Sequence, residues 1–158
     1  MLFYLNLLIR YTRYVSDARI VAIQRNMKKF SSASQKVGLL GEDIACKYLI
    51  SKNFTILERN YTKKWGEIDI VARERSGKLR FIEVKSVSCE NIDGISHETS
   101  IRPEENMHPK KMERMARTVE TYLSEKDVRG DWQVDLVTVF IDEVGKRAKV
   151  KLWEDIVL

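Results

Sequence analysis

The stretches Gly66-Glu-Ile-Asp-Ile-Val71 and Phe81-Ile-Glu-Val-Lys-Ser86, joined across Arg75-Ser76-Gly77, decide how this chain folds. Alternate residues of an extended strand share a face, so Glu67 and Asp69 are expected on one side of the first strand, with Ile68, Ile70 and Ala72 on the other. Glu83 and Lys85 likewise share a side of the second strand. A three-residue hairpin loop, with Gly77 in the left-handed conformation of a bulge, sets Asp69 opposite Glu83 and Glu67 opposite Lys85. Two carboxylates at ~5 Å repel by about 3 kcal/mol in an effective dielectric near 20, so a cation is expected between them. Lys85 supplies part of that charge. Oxygen ligands from two carboxylates on rigid strands also suit a hard divalent cation such as Mg2+. A hairpin with one solvated face shows the same alternation. Two features separate this one from it: the apolar neighbours Ile68, Ile70, Val71, Phe81, Ile82 and Val84, and a register that opposes like charges, which cross-strand pairing ordinarily avoids.

Before this hairpin, Val37, Leu40, Ile44, Ala45, Tyr48 and Leu49 trace a one-sided helix from about Gln35 to Lys52. Gly38 and Gly41 beside that stripe are expected where the helix approaches a sheet closely, and Glu42 borders the same face. Three strands, at about 54–61, 66–74 and 79–87, follow with short turns and should be antiparallel neighbours. Residues 88–107 form a polar loop without periodicity, leaving the hairpin just after Lys85. Pro109 suits the first turn of a second helix running through Met112, Met115, Val119, Tyr122 and Leu123. Lys110, Lys111, Arg114 and Arg117 on that helix read either as a track for a phosphate backbone, helped by exposed N-terminal amides, or as a charged solvent face. Two last strands are expected at Trp132–Asp142 and Lys146–Leu158, turning at Glu143-Val-Gly145. This pattern alone gives an α/β or α+β domain with a mixed sheet.

The 158 residues suffice for one domain with a substantial core. The net charge of +5 is unevenly placed: residues 1–34 hold six basic residues against Asp17 alone, and the remainder has 22 of each sign. The high isoelectric point is therefore no argument for nucleic acid in the domain at 35–158. The basic extension at 1–34 is either an appended helix or upstream sequence preceding a translation start at Met27, with Ser31-Ser-Ala-Ser34 as a linker. Its apolar start, Met1–Ile9, falls short of the ~20 residues a membrane span requires, so no transmembrane segment is expected. Cys46 and Cys89 lack zinc-type spacing and read as reduced thiols, which suggests a cytoplasmic protein. His97 and His108 read as loop or helix-end residues.

Asp69 followed by Glu83-Val84-Lys85 resembles the active-site motif of the PD-(D/E)xK nuclease superfamily. Taken in order, Gly38-Leu-Leu-Gly-Glu42-Asp-Ile-Ala45, Arg59-Asn60, Trp65-Gly-Glu-Ile-Asp-Ile-Val71 and Phe81-Ile-Glu-Val-Lys85 are similar to the YraN-like family of bacterial proteins, regarded as endonucleases of unestablished function. The resemblance covers about residues 35–158. It implies a restriction endonuclease-like core, α-β-β-β-α-β, with a mixed central sheet flanked by helices. It implies Mg2+, or Mn2+ in its place, held by Asp69, Glu83 and the Val84 carbonyl, with Glu42 as an additional acid. Lys85 would orient the attacking water, Glu67 would position Lys85, and DNA, branched or structured DNA included, would be the substrate. A homodimer is implied where a four-way junction is to be cut. The chain departs from the superfamily pattern in having Ile68 in place of the naming proline. It departs from the family in having Val87 where an arginine is common, and Trp132-Gln-Val-Asp135 where an aromatic–Asp pair is expected. Those departures and the neutral domain charge keep a second class open, a nucleic-acid-binding or assembly protein that keeps the fold without the chemistry.

Overall fold

A computed structural model describes residues 32–90, 92–93 and 108–156. The basic extension up to residue 31, most of the polar loop, and His97 lie outside the described residues. Within them, helix α1 (Ala33–Ser51) is followed by strands β1 (Thr55–Lys63), β2 (Gly66–Arg73) and β3 (Leu79–Ser88). Helix α2 (Pro109–Glu125) and strands β4 (Trp132–Asp142) and β5 (Arg147–Trp153) complete the domain. Ser32, Ala33 and Ser34 of the expected linker are instead the cap and start of α1. Ser32 is its N-cap, accepting from the Gln35 amide at 3.2 Å while Gln35 Oε1 accepts from the Ser32 amide at 3.4 Å, which satisfies two otherwise orphaned donors. His108 caps α2 by a single bond, its Nδ1 accepting from the Lys110 amide at 3.3 Å.

The five strands lie in one sheet in chain order, and only β3 and β4 run parallel. A parallel pair needs a long crossover, and α2 lies within it. The result is the mixed-sheet α/β core, restriction endonuclease-like in its α-β-β-β-α-β order, with β5 added at the edge. Each face of the sheet has its own core. On one, Leu40, Ile44, Ala45 and Leu49 of α1 pack on Ile70, Ala72, Ile82, Val137, Val139 and Ile141. On the other, Met115, Val119 and Tyr122 of α2 pack on Tyr61, Ile68, Val71, Leu79, Phe81 and Leu136. Neither face of the central hairpin is simply solvated. The centrally placed β4 is buried at every residue except Trp132, which is why it is apolar on both faces over Leu136–Val137 and Val139–Ile141.

The β2–β3 hairpin has the expected loop. Gly77 stands at φ 98° and donates to the Glu74 carbonyl at 3.0 Å, and β2 pairs with β3 from Arg73↔Leu79 to Ile70↔Ile82. Two expectations are corrected. Ile68 and Ile70, two residues apart, face opposite layers, Ile68 the α2 core and Ile70 the α1 core. The alternation therefore breaks at Asp69. Its register position opposite, Asn60, has φ 51°, and the β1–β2 pairs step from Arg59↔Ile70 to Tyr61↔Ile68 without including either residue. Gly38 has no heavy atom within 4 Å of where a Cβ would sit, so only Gly41 marks a close approach: a Cβ there would lie 1.8 Å from Ser86 Oγ on β3.

Candidate metal centre

The break at Asp69 turns the tip of the β1–β2 hairpin away from β3 and onto α2. Gly66 lies against Arg114 and Thr118, where a Cβ would come within 3.0 Å of Thr118 Oγ1. Tyr61 and Lys63 reach Glu125 at 2.7 and 2.6 Å. β2 and β3 consequently stop pairing after Ile70↔Ile82, and the next positions in that register are Asp69 and Glu83. No backbone pair bridges the gap there. Instead the Val84 amide donates to Asp69 Oδ2 at 2.7 Å.

Both carboxyl groups are deeply buried, Asp69 at 8% and Glu83 at 5% exposure. Burial is the first cause that pushes Asp69 up to about 8; the Glu83 charge pushes it further, with the Val84 amide opposing. Glu83 is raised as well, chiefly by burial, and the Lys111 ammonium works against the shift. Lys111 forms an ion pair with Glu83 Oε1. The second oxygen, Oε2, is buried and takes no hydrogen bond from an amide, hydroxyl or ammonium group; Asp69, when protonated, hydrogen-bonds the Glu83 carboxylate. A carboxylate oxygen buried without such a donor carries a desolvation cost that an added cation would remove. The donor set, two carboxylates on adjacent strand segments, suits a small hard cation. The residues therefore fit the expected metal.

The other expected residues are placed as follows. Glu42, on α1, accepts from Asn60 Nδ2 at 2.9 Å and pairs with Arg59 at 3.5 Å. Its charge reaches Asp69. Glu67 is exposed, and its charge acts on Glu83 and Lys111. Lys85 is exposed, and no ion pair joins it to Glu83 or Glu67 among the described residues. Lys110 and Arg114 are exposed on α2. Among the described residues no three His, Cys, Asp or Glu side chains gather closely enough to form a metal cluster, so the structure brings together Asp69 and Glu83 and leaves Glu42 at the margin. Asp135 is taken up elsewhere. It is fully buried and binds Arg80 Nε at 2.5 Å and Gln133 at 2.7 Å, and Arg80 extends to Glu74 at 3.0 Å and Glu154 at 2.5 Å. Arg80 lies beside Phe54 in the α1 layer, whereas Glu83 follows Phe81 on the α2 side.

Sequence reasoning placed Lys111 on a phosphate track and missed its pairing with Glu83. The only signal was indirect: the first turn of α2 carries two lysines and no acid, contrary to the preference of a helix N-terminus for negative charge.

Fold and site together define a restriction endonuclease-like α/β domain with a buried acidic pair where two strands part. Residues 41–139 match the family described as "Uncharacterised protein family UPF0102", and the chain belongs to that family. A UPF0102 protein of Campylobacter lari is 39% identical over 107 residues, 68% of this chain and 86% of that protein. One of Helicobacter pylori (strain HPAG1) is 37% identical over 130 residues, 82% of this chain and 98% of that protein. Among solved structures, Pyrococcus furiosus SfsA in complex with Ca2+ is similar at 14% identity with a TM-score of 0.32. That match takes in 79% of this chain and 65% of SfsA, a little under two thirds of its length. A likeness of this size leaves fold and activity to the chain's own geometry. No helix among the described residues is long and apolar enough to cross a membrane.

Proposed function

We propose that this protein is a metal-dependent endonuclease that hydrolyses phosphodiester bonds in DNA. The observation that carries the reading is the buried Asp69–Glu83 pair at the parting of β2 and β3, with one Glu83 oxygen that no amide, hydroxyl or ammonium group reaches. Asp69 and Glu83 would hold Mg2+ or Mn2+. The Val84 carbonyl is the third protein ligand that the resemblance implies; in an extended strand it leaves on the same edge as the amide that meets Asp69. The cation, when bound, polarises a phosphoryl oxygen and favours a deprotonated water.

The chain's own residues do the rest. The Val84 amide fixes the Asp69 carboxylate, so one ligand is oriented before any cation arrives. Glu42, steadied by Asn60 and Arg59, adds negative charge beside Asp69 and strengthens the demand for a cation. Lys85, exposed on the strand that carries Glu83, orients the attacking water and stabilises developing negative charge. Lys110 and Arg114, exposed on the helix that covers this end of the sheet, contact the backbone phosphates.

The test is a cleavage panel of linear, flapped and four-way DNA with Mg2+ or Mn2+, comparing the wild type with Asp69→Ala. The wild type should cut at least one substrate only when the metal is present, and the variant should cut none. DNA binding that is indifferent to metal and yields no product from any substrate would instead identify a binding or assembly protein.

A further inference from the structure

A buried carboxylate needs a partner, and the only cation on Glu83 among the described residues is Lys111, at Oε1; no amide, hydroxyl or ammonium group reaches Oε2. Lys111 itself is not a core residue. Its side chain is 48% exposed and comes from the first turn of α2, where the helix already presents positive charge through its free amides. A lysine there is electrostatically disfavoured by its own helix and favoured only by what it faces. It faces Glu83 directly, and the charges of Asp69 and Glu67 also reach it.

We propose that Lys111 is the internal counter-ion of this centre: it holds Glu83 while no divalent cation is bound, and a cation entering between Asp69 and Glu83 displaces its ammonium outward, toward the substrate phosphate. The proposal rests on the reading of Asp69 and Glu83 as metal ligands. The two cations cannot both sit against Glu83 without strong like-charge repulsion in a buried site. The four-carbon stem lets the ammonium swing without moving the helix, because only the head group is engaged in the gap. Lys85 on β3 and Lys110 and Arg114 on α2 are exposed cations of the same two elements that carry Glu83 and Lys111. Lys111 is thus a positioning residue for the acidic pair before the metal binds and a phosphate contact afterwards.

Two measurements on the full chain test this, with Mn2+ alone as the probe. In calorimetric titration, Lys111→Met should bind Mn2+ about tenfold more tightly than the wild type, since the competitor is gone, while Lys110→Met, one position away and unpaired with Glu83, should match the wild type. In limited acylation of lysine amines read by mass spectrometry, Lys111 of the wild-type protein should react slowly without Mn2+ and several-fold faster with it, while Lys110 stays unchanged. Equal Mn2+ affinity of wild type and Lys111→Met, or Lys111 labelling that ignores Mn2+, overturns the counter-ion role and leaves the metal centre standing. Absence of Mn2+ binding by both proteins overturns the centre and the proposal together. If Lys111→Met does not fold, the labelling of the wild-type protein decides alone.

Discussion

At the scale of single residues, the account turns on Asp69 being expensive to ionise. Its pKa is raised to about 8 from an ordinary 3.8. The metal-free native state therefore retains a proton that the unfolded chain releases, so the stability linked to this group is complete below about pH 4 and is lost as pH rises through about 8. The Tm of the metal-free protein should fall between pH 5 and pH 8.5, by an amount reflecting a few kcal/mol once coupling to Glu83 is included. Asp69→Asn, which keeps an acceptor for the Val84 amide, should flatten that dependence. Excess Mg2+ should restore the wild type at pH 8.5 and do nothing for the variant; a wild-type Tm independent of pH and Mg2+ would show the pair to be inert. Asn60 acts on the same centre from the adjacent strand, in a left-handed conformation that asparagine tolerates better than most residues. Asn60→Ala loses both that tolerance and the hydrogen bond to Glu42. It should lower stability by about 1–2 kcal/mol in denaturant melts and reduce cleavage more than stability explains.

At the scale of elements, the sequence was most legible where geometry is local. The loop Arg75-Ser76-Gly77, the β2–β3 register from Arg73↔Leu79 to Ile70↔Ile82, the strand Trp132–Asp142 and the start of α2 at Pro109 all followed from turn chemistry and periodicity. The left-handed Gly77 has open space around it, so Gly77→Ala should cost about 1 kcal/mol through backbone strain alone and leave Mn2+ affinity unchanged. A larger loss, or altered metal binding, would mean that the turn also shapes the site. What alternation could not supply was the break at Asp69. That break is a tertiary effect: the hairpin tip bends so that Tyr61 and Ile68 can bury against α2, and no period-two pattern reports it. Expecting Ile68 and Ile70 on one face failed for this reason. The Lys111–Glu83 pair was invisible because its members lie 28 positions apart in different elements.

At the scale of the whole molecule, two cores on opposite faces of one sheet hold the acidic pair, and among the described residues they are built from position 37 onward. The first cap, at Ser32, is complete with Gln35. Deleting residues 1–26 should therefore leave the thermal transition within a few degrees of the full chain; collapse of the transition would show that the extension belongs to the domain. The α/β order and the restriction endonuclease-like core, a mixed sheet flanked by helices, were legible through the ordered motifs. Composition alone reported the charge balance and left the substrate open.

The most direct test of the central claim is a crystal of the protein soaked in Mn2+ and measured for anomalous scattering. The account predicts one strong peak in the gap between β2 and β3, about 2.0–2.2 Å from a carboxylate oxygen of both Asp69 and Glu83. A gap without a peak, with the Lys111–Glu83 ion pair intact at saturating Mn2+, would contradict it.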